Sequence, residues 1–218
     1  MTIHEVGYDL FKRFNIDTSI ETGIYNSGTL NVIVGWFTLL EPGWNLHDSI
    51  HYDVSKCSHQ IYEVDINQRS VDVAKHKHGA GPNVHIECMD SAKYIKSHVD
   101  TGEWAGRKCF FYLDAHSANS YWPLRDEITN ILKLDKPIIM IDDYKPCAGL
   151  CARGYDGYKE GECGTQYLKD LIKGRCCGVF HTIVPNINDR GIGIMFIDRS
   201  EDELKTLLDG LPLLLEKI

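Results

Sequence analysis

The feature that most constrains this chain is a repeated two-part rhythm, in which a short apolar run reaches an acid and a segment with helical spacing follows. Apolar runs at 18–23, 60–66, 84–88, 108–113 and 137–141 deliver Glu21, Asp65, Asp90, Asp114 and the pair Asp142-Asp143 at or near their ends. Helical spacing marks 8–14, 67–77, 92–97, 123–134 and 166–173, and the run at 29–40 is long enough to favour helix over strand. Strands alternating with helices imply a parallel sheet covered on both faces. Runs that are apolar throughout, rather than at alternate positions, fit strands buried on both sides. Two further strands, 179–184 and 191–197, are joined only by residues 185–190, too short a link for a crossover helix. They are expected to pair as an antiparallel hairpin at the sheet edge. The tail from residue 201 reads as helix, with Leu204, Leu207 and Leu208 on one face. The expected fold class is α/β: a doubly wound, mostly parallel seven-stranded sheet with a C-terminal antiparallel hairpin. A single domain covers 1–218, with an insertion at about 36–58 and a Cys/Gly-rich loop at 145–164.

Composition closes off several function classes. With 43% hydrophobic and 25% charged residues, the chain is neither disordered, collagenous nor a coiled coil. Its 31 acidic against 23 basic residues give a net charge of −8, which repels phosphate backbones and argues against nucleic acid as a partner. No apolar stretch reaches the length of a membrane span, and the N-terminus lacks a hydrophobic signal core, so a cytoplasmic location is expected. Of the 8 cysteines, Cys57, Cys88, Cys109 and Cys177 sit in or beside apolar runs, as buried free thiols do. Cys147, Cys151 and Cys163 lie in the Gly-rich loop, but no C-x-x-C pair exists, so reduced thiols are favoured over zinc. The pattern leaves homo-oligomerisation open.

In an open α/β sheet, ligands bind beyond the carboxyl ends of the strands where strand order reverses. Acids there also serve as helix caps, but five strands in succession delivering one favour a ligand site. The first turn, Glu21-Thr22-Gly23 through Tyr25 to Gly28, lets the backbone approach a ligand at its two glycines. It lacks the G-x-G-x-x-G spacing of dinucleotide binders. An acid before that turn suits a cationic amino-acid ligand, Asp65 suits ribose hydroxyls and Asp90 suits the amino group of adenine. These demands together describe S-adenosyl-L-methionine (SAM) better than NAD.

Glu21-Thr-Gly-x-x-x-x-Gly28, the acid at Asp65, and Asp90-Ser91 resemble the first three motifs of class I SAM-dependent methyltransferases, whose fold is Rossmann-like. The resemblance spans most of 15–197 and implies a cofactor pocket of Glu21, Thr22, Gly23, Tyr25, Gly28, Asp65, Asp90 and Ser91. Glu21 and Asp65 stand 44 positions apart, about twice that family's usual spacing, and the surplus falls in 36–58.

A second resemblance narrows the class. Leu113-Asp-Ala-His116 with Ile141-Asp-Asp-Tyr144 is similar to the L-D-x-[DH] and [IV]-D-D-[YF] pair of macrocin-type sugar O-methyltransferases. It implies Asp114, Asp142 and Asp143 as ligands of a divalent cation, magnesium or manganese, and clustered carboxylates independently suit hard cations. It also implies a general base at His116, where the family carries aspartate. Imidazole can accept a hydroxyl proton at neutral pH. The expected activity is O-methylation of a sugar or glycan hydroxyl, with Trp122, Tyr144, Tyr155 and Tyr158 as candidates for stacking on the acceptor. The alternatives are an NAD-linked dehydrogenase on the same sheet and a catechol-type O-methyltransferase acting on a small phenolic.

Overall fold

Branched aliphatic and aromatic residues fill the apolar runs, and each run becomes a strand because only a sheet interior buries both of its faces. The computed structural model of the chain describes residues 3–24, 59–78, 82–115, 122–147, 150, 155–158, 161–183 and 190–218. The expected helix at 29–40 and the insertion at 36–58 lie outside these residues.

The parallel strands are β1 (Thr18–Thr22), β2 (Gln60–Asp65), β3 (Val84–Cys88), β4 (Cys109–Leu113) and β5 (Ile138–Ile141). Beyond them, β6 (Gly157–Tyr158) and β7 (Gly161–Glu162) form a small separate hairpin inside the Cys/Gly-rich loop. The sheet is completed by β8 (Gly178–Thr182), β9 (Gly193–Phe196) and β10 (Leu213–Lys217). Its order is β10-β8-β9-β5-β4-β1-β2-β3, with β9 antiparallel to β5 and β8, and β10 antiparallel to β8. The order reverses between β1 and β4, which pair in register from Thr18 beside Cys109 to Thr22 beside Leu113. That is the topological switch point at which such sheets bind ligands.

Three of the sequence expectations are corrected by the structure. The sheet has eight strands rather than seven, and the β8–β9 hairpin does not form its edge: β9 lies inside, between β5 and β8, and β10 takes the edge. The leucine-rich tail is helical only over α6 (Glu201–Leu207). Gly210, in the left-handed region at φ 78°, and Pro212 stop the helix, and Leu213–Lys217 then pairs with β8. An edge strand carrying Glu216 and Lys217 also discourages pairing with other chains.

Helices cover both faces. Phe111, Leu113, Ile139 and Ile141 pack with α3 (Ser91–Thr101), α4 (Leu124–Ile131) and α5 (Thr165–Ile172). Phe110, Ile138, Met140 and Ile194 pack on the other side with α1 (Ile3–Phe14) and α6, while α2 (Gln68–His78) lies over β3 through Val71, Ala74 and Ile86. Capping fixes where several helices begin. Asn67 Oδ1 accepts from the amide of Arg69 at 2.9 Å, and Ser200 Oγ accepts from that of Glu203 at 3.2 Å. No helix among the described residues is long and apolar enough to cross a membrane.

The cysteine expectation holds in part. Cys88, Cys109, Cys147, Cys163, Cys176 and Cys177 are free thiols, and Cys109 and Cys163 are buried. Cys88 is exposed because it ends the edge strand β3, whose last residues face outward, and Cys177 is half-buried.

Phe111 sits at the centre of β4 with no exposed surface and packs edge-on against Trp104. Phe111→Ala is expected to lower stability by about 3–5 kcal/mol, measured by urea unfolding. A loss below about 1 kcal/mol would mean the strand is not the centre of a close-packed layer.

Candidate active site

β1 ends in Glu21 and Thr22, and the chain must then turn away without colliding with β4. Gly23 makes that turn at φ 79°, and a Cβ there would lie 2.2 Å from the carbonyl oxygen of Asp114. The amide of Gly23 donates to Val64 O at 3.0 Å, and that of Asp114 donates to Thr22 O at 3.0 Å. The end of β1 is thus locked between the ends of β2 and β4, and the expected ligand turn lies against the expected metal strand.

Asp114, Asp142 and Asp143 converge there, and one ligand oxygen from each lies within 4.8 Å of the others. Two sequence-distant motifs are therefore brought together as expected, by β4 and β5 pairing from Phe110 beside Ile138 to Leu113 beside Ile141. Asp143 adopts a positive φ of 52°, a conformation that aspartate tolerates better than most residues, and this turns the chain sharply after β5. Glu21 is buried beside them and adds to the negative potential at Asp114.

The electrostatics of this crevice are one-sided. Burial, followed by the charges of Asp142, Asp143, Glu21 and Asp156, pushes the Asp114 carboxyl up to about 9. Burial, with Asp142 and Asp156, pushes Asp143 up to about 7 despite the pull of Arg190 in the other direction. Arg190 is the counter-charge: its guanidinium pairs with Asp143 Oδ2 and reaches Asp156 Oδ1 at 3.1 Å. The Tyr112 phenol, fully buried beneath the cluster, is raised well above its ordinary value by burial and by Asp142, Asp114 and Glu21.

The remaining expected cofactor residues line the same sheet edge. Asp65 ends β2, and one of its oxygens accepts from the amide of Asn67 at 2.7 Å. Asp90 caps α3, with Oδ1 accepting from the amide of Lys93 at 3.0 Å, so the local capping role is present. Ser91 opens that helix and is buried. Tyr25, Gly28 and His116 lie outside the described residues.

Several site features were not read from the sequence. Ile66 is 73% exposed directly after Asp65, and Met89 is 39% exposed directly before Asp90, so two large apolar side chains project beyond the strand ends. The signal was available, since an apolar residue one step past the end of a strand, as Ile66 is after β2 and Met89 after β3, has no core left to enter. Asp156 and Arg190 carried no signal, because only folding places them beside Asp143. Glu127, buried on α4, was also missed. The aromatic candidates divide: Trp122 stacks on Tyr167 at 4.5 Å and Tyr144 is fully buried, so both serve packing. Tyr155 is exposed and donates to Glu162 at 2.8 Å, while the Tyr158 side chain lies outside the described residues. A cavity of about 770 Å³, within the range that holds small molecules, is lined by Arg125, Lys145, Glu162, Thr165, Tyr167 and Glu216 among others. Among the described residues, none of the expected site residues lines it; it adjoins them through Lys145, two residues after Asp143.

No protein-family model and no curated protein matches the sequence. Solved structures match it by shape. The O-methyltransferase TomG from Streptomyces achromogenes, involved in tomaymycin synthesis and in complex with SAM, has a TM-score of 0.53 at 13% identity, over 90% of this chain and 79% of that one. An O-methyltransferase from Bacillus cereus in complex with S-adenosylhomocysteine (SAH) gives 0.53 at 12%, over 90% and 80%. Human methyltransferase-like protein 13 in complex with SAH gives 0.53 at 15%, over 94% and 86%. The chain has a methyltransferase fold.

Asp114 and Asp143 hold protons in the folded protein that the unfolded chain releases near the ordinary value of 3.8, and Asp114 keeps its proton up to about 9. The folded state therefore binds more protons across that window, and stability is lost as pH rises through it. The thermal midpoint of the metal-free protein should fall from about pH 5 to about pH 8, and Asp114→Asn should raise the midpoint at the upper end and flatten the slope. A midpoint that rises with pH would contradict the electrostatics described above.

Proposed function

We propose that this protein is a SAM-dependent O-methyltransferase that uses a divalent cation, magnesium or manganese, to methylate a hydroxyl of a sugar or glycan. The observation that carries the reading is the meeting, at the switch point, of the Glu21-Thr22-Gly23 turn with the Asp114, Asp142 and Asp143 carboxylates. The fold likeness to O-methyltransferases in complex with SAM or SAH supports the cofactor. The pair of L-D-x-H and I-D-D-Y motifs supports the sugar and the metal.

The residues fit these groups. Three carboxylates offer only hard oxygen donors, as magnesium and manganese prefer, and the raised pKa values of Asp114 and Asp143 mark a cluster short of positive charge. Glu21, in the same crevice, suits the amino group of the methionine moiety. Asp65, at the end of β2, suits ribose hydroxyls, and exposed Ile66 and Met89 offer apolar surface to the faces of adenine. Asp90 and Ser91 would meet its polar edge. Thr22, Gly23, Tyr25 and Gly28 complete the first turn.

SAM supplies a methyl group already activated by its sulfonium, so the chain's own task is alignment and removal of a proton. A divalent cation held by Asp114, Asp142 and Asp143 would acidify the acceptor hydroxyl and favour a vicinal diol. His116, two residues after Asp114, accepts the hydroxyl proton in this reading.

Calorimetry with SAH separates these roles. Asp65→Ala should lose charge-assisted hydrogen bonds worth roughly 1.5–3 kcal/mol each. His116→Ala should keep its SAH affinity but lose about 10²–10⁴-fold in turnover. Unchanged affinity in folded Asp65→Ala would remove that residue from the pocket, and thermal stabilisation of the parent protein by NAD but not SAH would replace the cofactor.

Chelator should abolish turnover on a vicinal-diol sugar, and magnesium or manganese should restore it. Full activity in chelator would leave Asp142-Asp143 as a loop-shaping pair. A preference for catechols would move the acceptor to the phenolic class.

A further inference from the structure

Glu127 lies on α4 and is only 1% exposed, and neither of its carboxylate oxygens has a hydrogen-bond partner among the described residues. Burial raises its pKa to about 7. Nearly all buried polar groups in folded proteins are paired, so one left open calls for an explanation. Its surroundings supply one. The hydroxyls of Ser91 and Thr22 face it and pull its pKa back down, while Asp90 and Asp126 push it up. Neither hydroxyl makes an aligned hydrogen bond to it, and Thr22 Oγ1 is itself fully buried and unpartnered among the described residues. Two acceptor oxygens and the Thr22 hydroxyl thus stand without a partner among the described residues, with the Ser91 hydroxyl beside them.

The place matters as much as the chemistry. Thr22 ends β1 and Ser91 opens α3 after β3, so the two hydroxyls belong to two of the three loops expected to hold the cofactor. Those strands are not neighbours, because β2 lies between them. Backbone bonds tie each loop to β2, the amide of Gly23 donating to Val64 O at 3.0 Å and that of Met89 to Asp65 O at 3.1 Å. The first loop is also tied to β4, through the amide of Asp114 to Thr22 O at 3.0 Å, and none of these bonds joins the two loops to each other. Glu127 reaches both loops from beneath, on a helix that packs against α3. The cavity it lines, together with Trp122, Asp142 and Cys163, measures about 10 Å³, too small for a cofactor or a sugar. Glu127 therefore acts through its neighbours rather than on a ligand.

We infer that Glu127 is a positioning residue: its carboxylate accepts hydrogen bonds from the Thr22 and Ser91 hydroxyls and sets the spacing of the two loops that flank the cofactor. The bonds close when the loops draw together around the ligand. The cofactor half of this inference rests on the SAM reading; the tie between the loops does not.

Hydrogen exchange and SAH calorimetry on Glu127→Leu and Glu127→Gln test the two halves separately. In Glu127→Leu, peptides covering 20–24 and 89–93 should exchange about tenfold faster while β4 and α4 keep parental protection. SAH should bind about tenfold more weakly, and the apparent KM for SAM should rise with it while kcat falls far less. Glu127→Gln, which keeps the shape and one acceptor, should recover part of each effect. It also carries the test if the leucine variant fails to fold. Parental exchange in both peptides of a folded variant would overturn the tie. Faster exchange with unchanged SAH affinity would overturn its role in cofactor binding. Faster exchange in a protein whose parent binds no SAH would uphold the tie and sink the SAM reading instead.

Discussion

The turn after β1 can lie against the end of β4 only because residue 23 carries no side chain. A Cβ there would meet the Asp114 carbonyl oxygen at 2.2 Å, and the backbone at φ 79° is one that other residues adopt at a cost. This contact lets two central strands run side by side to their carboxyl ends, with Thr22 beside Leu113 and the amide of Asp114 donating to Thr22 O. The crevice, the acids that line it and the loops that flank it all take their positions from that junction.

Placing so many carboxylates at one junction is costly, and the structure offsets the cost only in part. Glu21, Asp114, Asp142, Asp143 and Asp156 act on one another, and Arg190 opposes them through Asp143 and Asp156. The same arginine holds the Cys/Gly-rich loop against the turn after β5, together with the amide of Asp156, which donates to Asp143 O at 2.9 Å. The loop therefore belongs electrostatically to the crevice. Packing reinforces it: Gly193 lies so close under the Tyr144 ring that a Cβ there would meet a ring carbon at 2.6 Å. Tyr144 in turn donates to Thr165 Oγ1 at 3.2 Å. Thr165 bonds Glu216, whose Oε2 lies 2.9 Å from Nε2 of buried His181. The edge strand β10 is thereby linked to the loop after β5 through side chains as well as through its ladder with β8.

The order of strands and helices was legible because its signal is local. An apolar run bounded by an acid, or a leucine stripe at helical spacing, needs no knowledge of what lies across the sheet. Local signals failed where the competing reading was also local. The leucines of the tail continue a helical stripe past Gly210 and Pro212, and the pairing of Leu213–Lys217 with β8 decided the matter. Asp90 was legible both as a cap and as a ligand residue, and its bond to Lys93 realises the first without using its second oxygen.

The sequence by itself determined that acids would gather along one edge of a parallel sheet, because each strand of such a sheet points the same way and ends where its apolar run ends. It also determined that the first turn needed glycine. Only the tertiary structure decided which acids meet and what opposes them. Asp114 reaches Asp142 and Asp143 through the pairing of β4 with β5, and Arg190 reaches Asp143 from the far side of a hairpin. Glu127 reads in the sequence as an ordinary helical acid. It becomes a buried carboxylate with no partner among the described residues only when α4 settles over the end of β1 and the start of α3. Spacing along the chain sets which residues leave a strand together, whereas burial and charge coupling depend on distances between residues far apart in sequence.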